Sequence, residues 1–282
     1  MAKHGTVGSG PAGGRRVALV IETSLAPGRE MLRGVARYVR EHGPWATFWE
    51  PRGLEESVHS WLGRWRWDGV IARVQTRQIA DAVLGLGVPV VDILGRRPTP
   101  GMPLVHTDDA AIGQLGADHL LGRGFRQLAF YGWANEPWSR GRSDAFAARS
   151  AGAGRACAVL EVAHGFHERS WDQQAQELAG WVRGLPKPVG LMLCTDQCGP
   201  LAMEACRRAG AVVPDDVAVL GVDNDEAVCE VSDPPLSSVW PDHDGVGYRA
   251  AAVLDGLMRA RQPGGDGPTD GAGKGRGTGR RA

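Results

Sequence analysis

Apolar positions along the chain follow two alternating rhythms. Short β-branched runs bounded by turn residues, at Val17–Ile21, Trp45–Trp49, Gly69–Ala72, Val88–Ile93 and Leu104–Thr107, predict buried strands. Between them the spacing becomes helical. Gly28–Glu41 sets Met31, Leu32, Val35, Ala36 and Val39 on one stripe, and further helices are expected up to about Trp65 and over Gln78–Leu86. A second series opens at Asp108 and Asp109, both good N-cap candidates before Ile112, Leu115, Leu120 and Leu121. Its expected strands are Gln127–Tyr131, Ala156–Val162, Val189–Leu193, Val217–Val222 and Ser237–Val239. Its later helices are expected near Arg142–Arg149, Trp171–Arg183, Gly199–Ala209 and Gly245–Arg261.

Strands alternating with helices imply parallel sheets covered on both faces. Two series of similar size imply an α/β protein of two doubly wound parallel-sheet subdomains rather than one very wide sheet. Ligands of such sheets sit beyond the carboxyl ends of the strands, and that is where candidate chemistry is sought.

Composition changes this picture only when it is divided along the chain. The whole carries 32 basic and 32 acidic residues, a formal charge of zero, and 41 glycines in 282 residues. Residues 1–16 are glycine-rich with a charge of +3, and residues 263–282 hold eight glycines and a charge of +2. Both ends read as disordered tails. The body, 17–262, is left at −5, a sign that repels phosphate and argues against a nucleic-acid surface on the body. The cysteines at 157, 194, 198, 206 and 229 show no paired spacing, so free thiols in a reducing cytoplasm are expected. The run after Arg15-Arg16 is too short for a signal peptide and no stretch is long enough to span a membrane. No cofactor and no metal is expected.

Two motifs fail their context. Gly8–Gly13 matches a dinucleotide-binding fingerprint, but no strand precedes it and a strand rather than a helix comes after it. His164 and His167 are spaced for metal ligation on a helix, yet Gly165 separates them and no third ligand is evident. Five tryptophans between 45 and 67 suggest a stacking platform, though Trp61, Leu62 and Trp65 fit a core stripe as well. No nucleophile elbow, phosphate loop or catalytic triad has its proper surroundings, so no enzyme is expected.

One constellation meets the strand-end rule. Asp196 follows the Val189–Leu193 strand, Asp223 and Asn224 follow Val217–Val222, and Arg142 follows the loop after Gln127–Tyr131. Two carboxylates and a guanidinium suit a neutral polyol, with Trp133 or Trp138 covering the apolar face of a sugar ring. Aspartates at strand–helix junctions also cap helices, and spacing alone leaves both roles open.

The same residues carry a family likeness. The run Val213-Pro214-Asp215-Asp216-Val217-Ala218-Val219-Leu220-Gly221-Val222-Asp223-Asn224 resembles the signature strand of lactose-repressor-type sensor domains, and Leu236-Ser237-Ser238-Val239 resembles the next conserved segment of those domains. Thr107-Asp108-Asp109, Arg142 four residues before Phe146, and Cys194-Thr195-Asp196 stand in matching order. Within that family, Arg33–Tyr38, Trp67–Ala72, Phe130-Tyr131-Gly132 and Gly221–Asn224 are similar to the xylose-operon regulators. The likeness covers about residues 16–260. It implies a periplasmic-binding-protein-like clamp of type I, with 17–107 joined by 236–262 in one lobe, 108–235 in the other, and a hinge between. It implies closure on a monosaccharide, a pentose or similar polyol, and a homodimer. Matching motif positions imply Arg142, Asp196 and Asp223 as central contacts, with Trp133 beside them and Glu22, Thr23 and Ser24 lining the cleft from the first lobe.

The resemblance also marks departures. Neither the N-terminal helix-turn-helix of lactose-repressor-type proteins nor the C-terminal pair of the xylose type is present, and glycine-rich text replaces the last sensor strand expected after Arg261. The chain is therefore expected to be a truncated or frame-shifted part of a longer product, able to meet operator DNA only when a DNA-binding domain is supplied. Arg73 stands where the xylose type has an acid and Glu22 where it has an amide, which weighs against xylose itself. The competing expectations are a monosaccharide solute-binding protein for transport and a sugar-metabolising enzyme.

Overall fold

The computed structural model describes residues 14–51, 61–97, 99–163 and 170–261. Its chain order alternates throughout: β1 (Arg15–Val20), α1 (Ala26–His42), β2 (Trp45–Phe48), β3 (Gly69–Ala72), α2 (Arg77–Leu84) and β4 (Val90–Asp92), then α3 (Asp109–Gly122), β5 (Gln127–Trp133), α4 (Pro137–Gly152), β6 (Cys157–Val162), α5 (Trp171–Gly184), β7 (Val189–Leu193), α6 (Gly199–Ala209), β8 (Val217–Val222), α7 (Glu226–Val231), β9 (Ser237–Val239) and α8 (His243–Ala260). A short 3-10 turn, Asp196–Cys198, links β7 to α6.

The strands form two sheets, β2-β1-β3-β4 and β6-β5-β7-β8-β9, and every pairing is parallel. In both, the first strand of the series lies inside and the order reverses beside it, at β1/β3 and at β5/β7. Those reversals open crevices at the carboxyl ends. Each lobe buries its own core. In the first, Ile21, Ile71 and Ile93 meet Met31 and Val35 of α1 and Leu254 of α8, while Val70 and Ala72 face Trp61, Trp67 and Val83 on the other side. Trp61 and Leu62 are thus core residues, as the stripe suggested, with Trp67 packed beside Trp61 and Phe48, whereas Trp65, expected on the same stripe, is exposed along with Trp49. In the second, Phe130, Leu191, Met192 and Leu220 pack against Phe146, Leu178 and Met203.

Local chemistry sets the helix ends. Asp108 caps α3 by accepting from the Ala111 N–H, and Ser170 with Gln173 forms a reciprocal capping box on α5. The pairing of α1 with α8 depends on glycine. A Cβ on Gly34 would collide with the Asp244 carbonyl oxygen, and one on Gly247 with that of Met31, so the two backbones touch directly.

The structure corrects several expectations. β1 begins at Arg15 rather than Val17. Arg15 pairs with buried Asp255, and Arg16 donates its N–H to Asp68 and lies over Trp65, so these charges anchor the strand instead of belonging to a tail. Leu104–Thr107 makes a single bridge, Asp92 to Leu104, because the chain must leave β4 at once to reach the α3 cap. β9 is hydrogen-bonded to β8, so the sheet of the second lobe extends past residue 235, and α8 alone returns to the first lobe. The tails at 1–13 and 262–282, the Gly8–Gly13 motif, His164 and His167, the helix through 52–60 and the strand expected after Arg261 lie outside the described residues. Among the described residues no helix is long and apolar enough to cross a membrane.

Candidate functional site

Between the two sheets, at the carboxyl ends of both, lies a cavity of about 410 Å³. This is the size of a small-molecule site. Arg73 and Gln75 reach it from the end of β3, Leu94 and Arg96 from β4, Trp133 from β5, Thr195 and Gln197 from β7, and Asp223 from β8. Both crevices contribute, facing one another.

Asp223 organises the second-lobe wall. It and Asn224 have φ of 107° and 51°, left-handed values that non-glycine residues seldom adopt. The turn aims the carboxylate into a ring of donors: Thr195 Oγ1 at 2.7 Å, His243 Nε2 at 3.2 Å and Arg142 Nη1 at 3.8 Å. Burial pushes the Asp223 carboxyl up, but the His243 bond, the Arg142 and His243 charges and the Thr195 hydroxyl outweigh it and hold the group below its ordinary value. The site therefore presents a fixed carboxylate.

Arg142 is held as firmly. Its Nε donates to Asp109 at 3.0 Å, its Nη1 to the Cys194 carbonyl at 2.7 Å, and its guanidinium lies 4.8 Å from the centre of the Trp138 ring. Trp133 and Trp138 meet edge to face at 5.6 Å, giving the wall an aromatic corner. Trp138 Nε1 donates to Glu136, which also accepts an ion pair from Arg96 of the first lobe at 2.9 Å. That pair spans the cleft.

Four expected site residues do not line this cavity. Glu22 is buried and ion-paired with Arg73; Glu22 Oε2 and Arg73 Nε are left without hydrogen-bond partners. The two first-lobe departures from the xylose type thus answer one another, and only Arg73 reaches the cavity wall. The Thr23 and Ser24 carbonyls accept from Arg29. Asp196 lies behind the wall, accepting from Ser238 Oγ at 2.7 Å and from the Asp225 N–H at 2.8 Å, so it ties β9 and the Asp223 turn together. Burial pushes its carboxyl up to about 7.

Sequence reasoning missed Arg96, Glu136, His106, Gln197 and His243. Arg96 stands at a strand end and was open to the same rule as Asp223. His243 carries no such signal, arriving from the start of α8. Asp225 was missed too: its carboxylate accepts from the Ala26 N–H at 3.1 Å and lies 3.7 Å from Arg29, joining the lobes at the start of α1.

The sequence profile of the periplasmic binding protein-like domain matches residues 117–269. The xylose operon regulatory protein of Escherichia coli (strain K12) is 29% identical over 256 residues, 86% of this chain and 63% of that protein. The chain thus spans less than two thirds of that relative's length. A solved xylose-binding transcription activator superposes with a TM-score of 0.76 at 26% identity, covering 90% of this chain and 66% of that one. A LacI family transcriptional regulator from Enterococcus faecium, solved with bound ribose, reaches 0.64 at 21% identity over 85% of this chain and 88% of its own, a likeness of fold. The resemblance read from the ordered motifs holds, and with it the two-sheet fold.

Proposed function

The chain belongs to the periplasmic binding protein-like family, and from that membership we propose that it is the sugar-sensing part of a transcription regulator of xylose-like carbohydrate catabolism. The cavity between the lobes carries this reading, with Arg142, Asp223 and the Trp133–Trp138 corner on one wall. A monosaccharide supplies what that wall lacks: hydroxyls for the carboxylate and guanidinium, and a C–H face for the rings. Contacts from both lobes are complete only when the clamp is closed, so the sugar shifts the population toward that form. In this reading the chain binds its ligand without transforming it, acts in the cytoplasm, pairs as a homodimer, and reaches operator DNA only through a DNA-binding element outside the sensor. The relatives, as regulators of xylose operons, support it.

Isothermal titration with D-xylose, D-ribose, L-arabinose and D-glucose tests the reading. At least one should bind, and Asp223→Ala or Arg142→Ala should weaken it by about thirtyfold or more, since each strands a buried charge. Unchanged affinity in both variants overturns the site, and no binding by any of the four overturns the ligand class.

A further inference from the structure

Arg73 stands on the cavity wall from a fixed base. Its backbone N–H donates to the Val20 carbonyl at 2.9 Å, one residue past the end of β3, and the Val74 N–H donates to Asp92 Oδ1 at 3.2 Å. The side chain turns toward Glu22, a buried carboxylate that the first turn of α1 closes over. A Cβ on Gly28 would lie 3.0 Å from Glu22 Oε1. Arginine commonly grips a carboxylate with two parallel N–H groups. Here Nη1 alone meets Glu22 Oε1, while Arg73 Nε and Glu22 Oε2 are both buried without hydrogen-bond partners. The guanidinium is thus held end-on. Its Nη2 has no acceptor among the described residues and, unlike Nε, is not buried. Arg73 lines the cavity with 13% of its side chain exposed, and with Nε covered the accessible part of the head group is its Nη edge. Arg96 and Arg142, by contrast, each engage protein acceptors through two nitrogens.

We propose that Arg73 is a specificity-determining contact of the first lobe, its Nη2 donating to one oxygen of the bound sugar while Nη1 stays on Glu22. This rests on the sugar-sensing reading of the cavity and adds to it a polar requirement. A guanidinium carries donors and no acceptor. The ligand must therefore present an oxygen lone pair at one defined position, and the hydrogen of a hydroxyl there is not needed. A C–H in its place leaves a charged donor unpaired in a closed cleft, a mismatch that polar sites reject strongly. Glu22 is the positioning residue. It matches the arginine from behind, so this wall offers a directed donor whose charge is already balanced, and a neutral sugar satisfies it.

Two variants remove the donor without stranding the Glu22 charge. Arg73→Lys keeps a cation for Glu22 and loses the second arm of the fork. The double variant Glu22→Gln/Arg73→Met removes both charges and keeps an apolar stem. Titration uses D-xylose, D-ribose, L-arabinose and D-glucose with the monodeoxy and deoxyfluoro derivatives of each. The native chain should bind one deoxy derivative of its preferred sugar about tenfold or more weaker than the parent. The fluoro derivative at that position, where the halogen accepts and cannot donate, should recover part of the loss. Both variants should bind the parent about tenfold weaker and no longer distinguish it from that deoxy derivative, with discrimination elsewhere on the ring unchanged. If the variants keep native affinity and the native deoxy pattern, or lose affinity evenly for the parent and every derivative, the contact is disproved while the Asp223 and Arg142 site stands. Fluoro derivatives as weak as their deoxy counterparts at every position also overturn it, and that readout needs only the native chain. If none of the sugars binds the native chain, the sugar reading fails and the contact falls with it.

Discussion

Asp225 offers the sharpest test of whether the lobes are held together by their own contacts. α1 begins at Ala26 behind Leu25, which provides no side-chain cap, and the acceptor for the Ala26 N–H comes from Asp225 on the opposite lobe. Asp225→Ala removes it. A lost helix cap costs about 1 kcal/mol, within roughly 0.5–2. The lost carboxylate at the positive end of α1 costs about 0.3–1 kcal/mol more. The 3.7 Å pair with Arg29 adds little, because that side chain is 44% exposed and screened by water. The total is about 1–2 kcal/mol, and it bears on closure because the two partners separate when the lobes part.

If the sugar-free protein is open, the whole amount comes off the binding free energy, and Kd for the sugar rises about 5- to 30-fold. The open lobes keep their separate cores, so the melting temperature without sugar should move by no more than a degree or two. Titration calorimetry and a sugar-free thermal melt measure the two quantities side by side. A melting temperature lowered by several degrees with an unchanged Kd would refute the reasoning, because it would make Asp225 an ordinary cap in a fixed arrangement.

The same geometry sets three further outcomes. The Asp196 carboxyl, raised to about 7 by burial, holds its proton more tightly folded than unfolded, so its contribution is full below the unfolded carboxyl range and drains as pH climbs toward 7. Between pH 5 and pH 8 the native melting temperature should fall several degrees more than that of Asp196→Asn; parallel profiles would clear the carboxyl of this role. Arg96→Ala, Glu136→Ala and the double variant should show a coupling of about 1 kcal/mol in sugar binding, since Glu136 is buried and Arg96 half-buried; strict additivity would mean the cleft-spanning pair contributes nothing. Gly247→Ala should lower the melting temperature by about 5 °C or more, despite alanine's better helix propensity, because its Cβ meets the Met31 carbonyl.

The fold was legible because buried parallel strands write themselves as short apolar runs, and both series kept that rhythm. The ambiguities had specific causes. A three-residue strand such as Ser237–Val239 bears no mark of which sheet it joins, and Leu104–Val105 has the strand composition without the length to form a ladder. At the site, the strand-end rule led to Asp223, to Trp133 at the end of β5 and, past the loop that follows, to Arg142 on α4, which stand together on one wall. It was off by one at β7. Thr195 and Gln197 reach the cavity while Asp196 between them faces the interior, because it opens the 3-10 turn and its carboxylate is taken by Ser238 and the Asp225 N–H. His243 and Asp225 were out of reach for a different reason: their roles arise from contact between lobes, which no local pattern encodes.

The charges around the cavity bear on which sugars can enter. Arg73 is matched by Glu22, Arg96 by Glu136, and Arg142 by Asp109 and Asp223. A uronate or a sugar phosphate would have to approach Asp223 and Glu136, or draw an arginine away from its partner. Breaking a buried pair in that way costs about 3–5 kcal/mol, more than one new charged contact returns. A neutral polyol faces no such choice, because each hydroxyl both donates and accepts and can bridge an arginine and a carboxylate without parting them. The Arg96–Glu136 match joins opposite lobes, so in an open clamp both charges stand apart in water. Closure assembles the neutral lining, and selection against anions is therefore strongest in the form that holds the ligand.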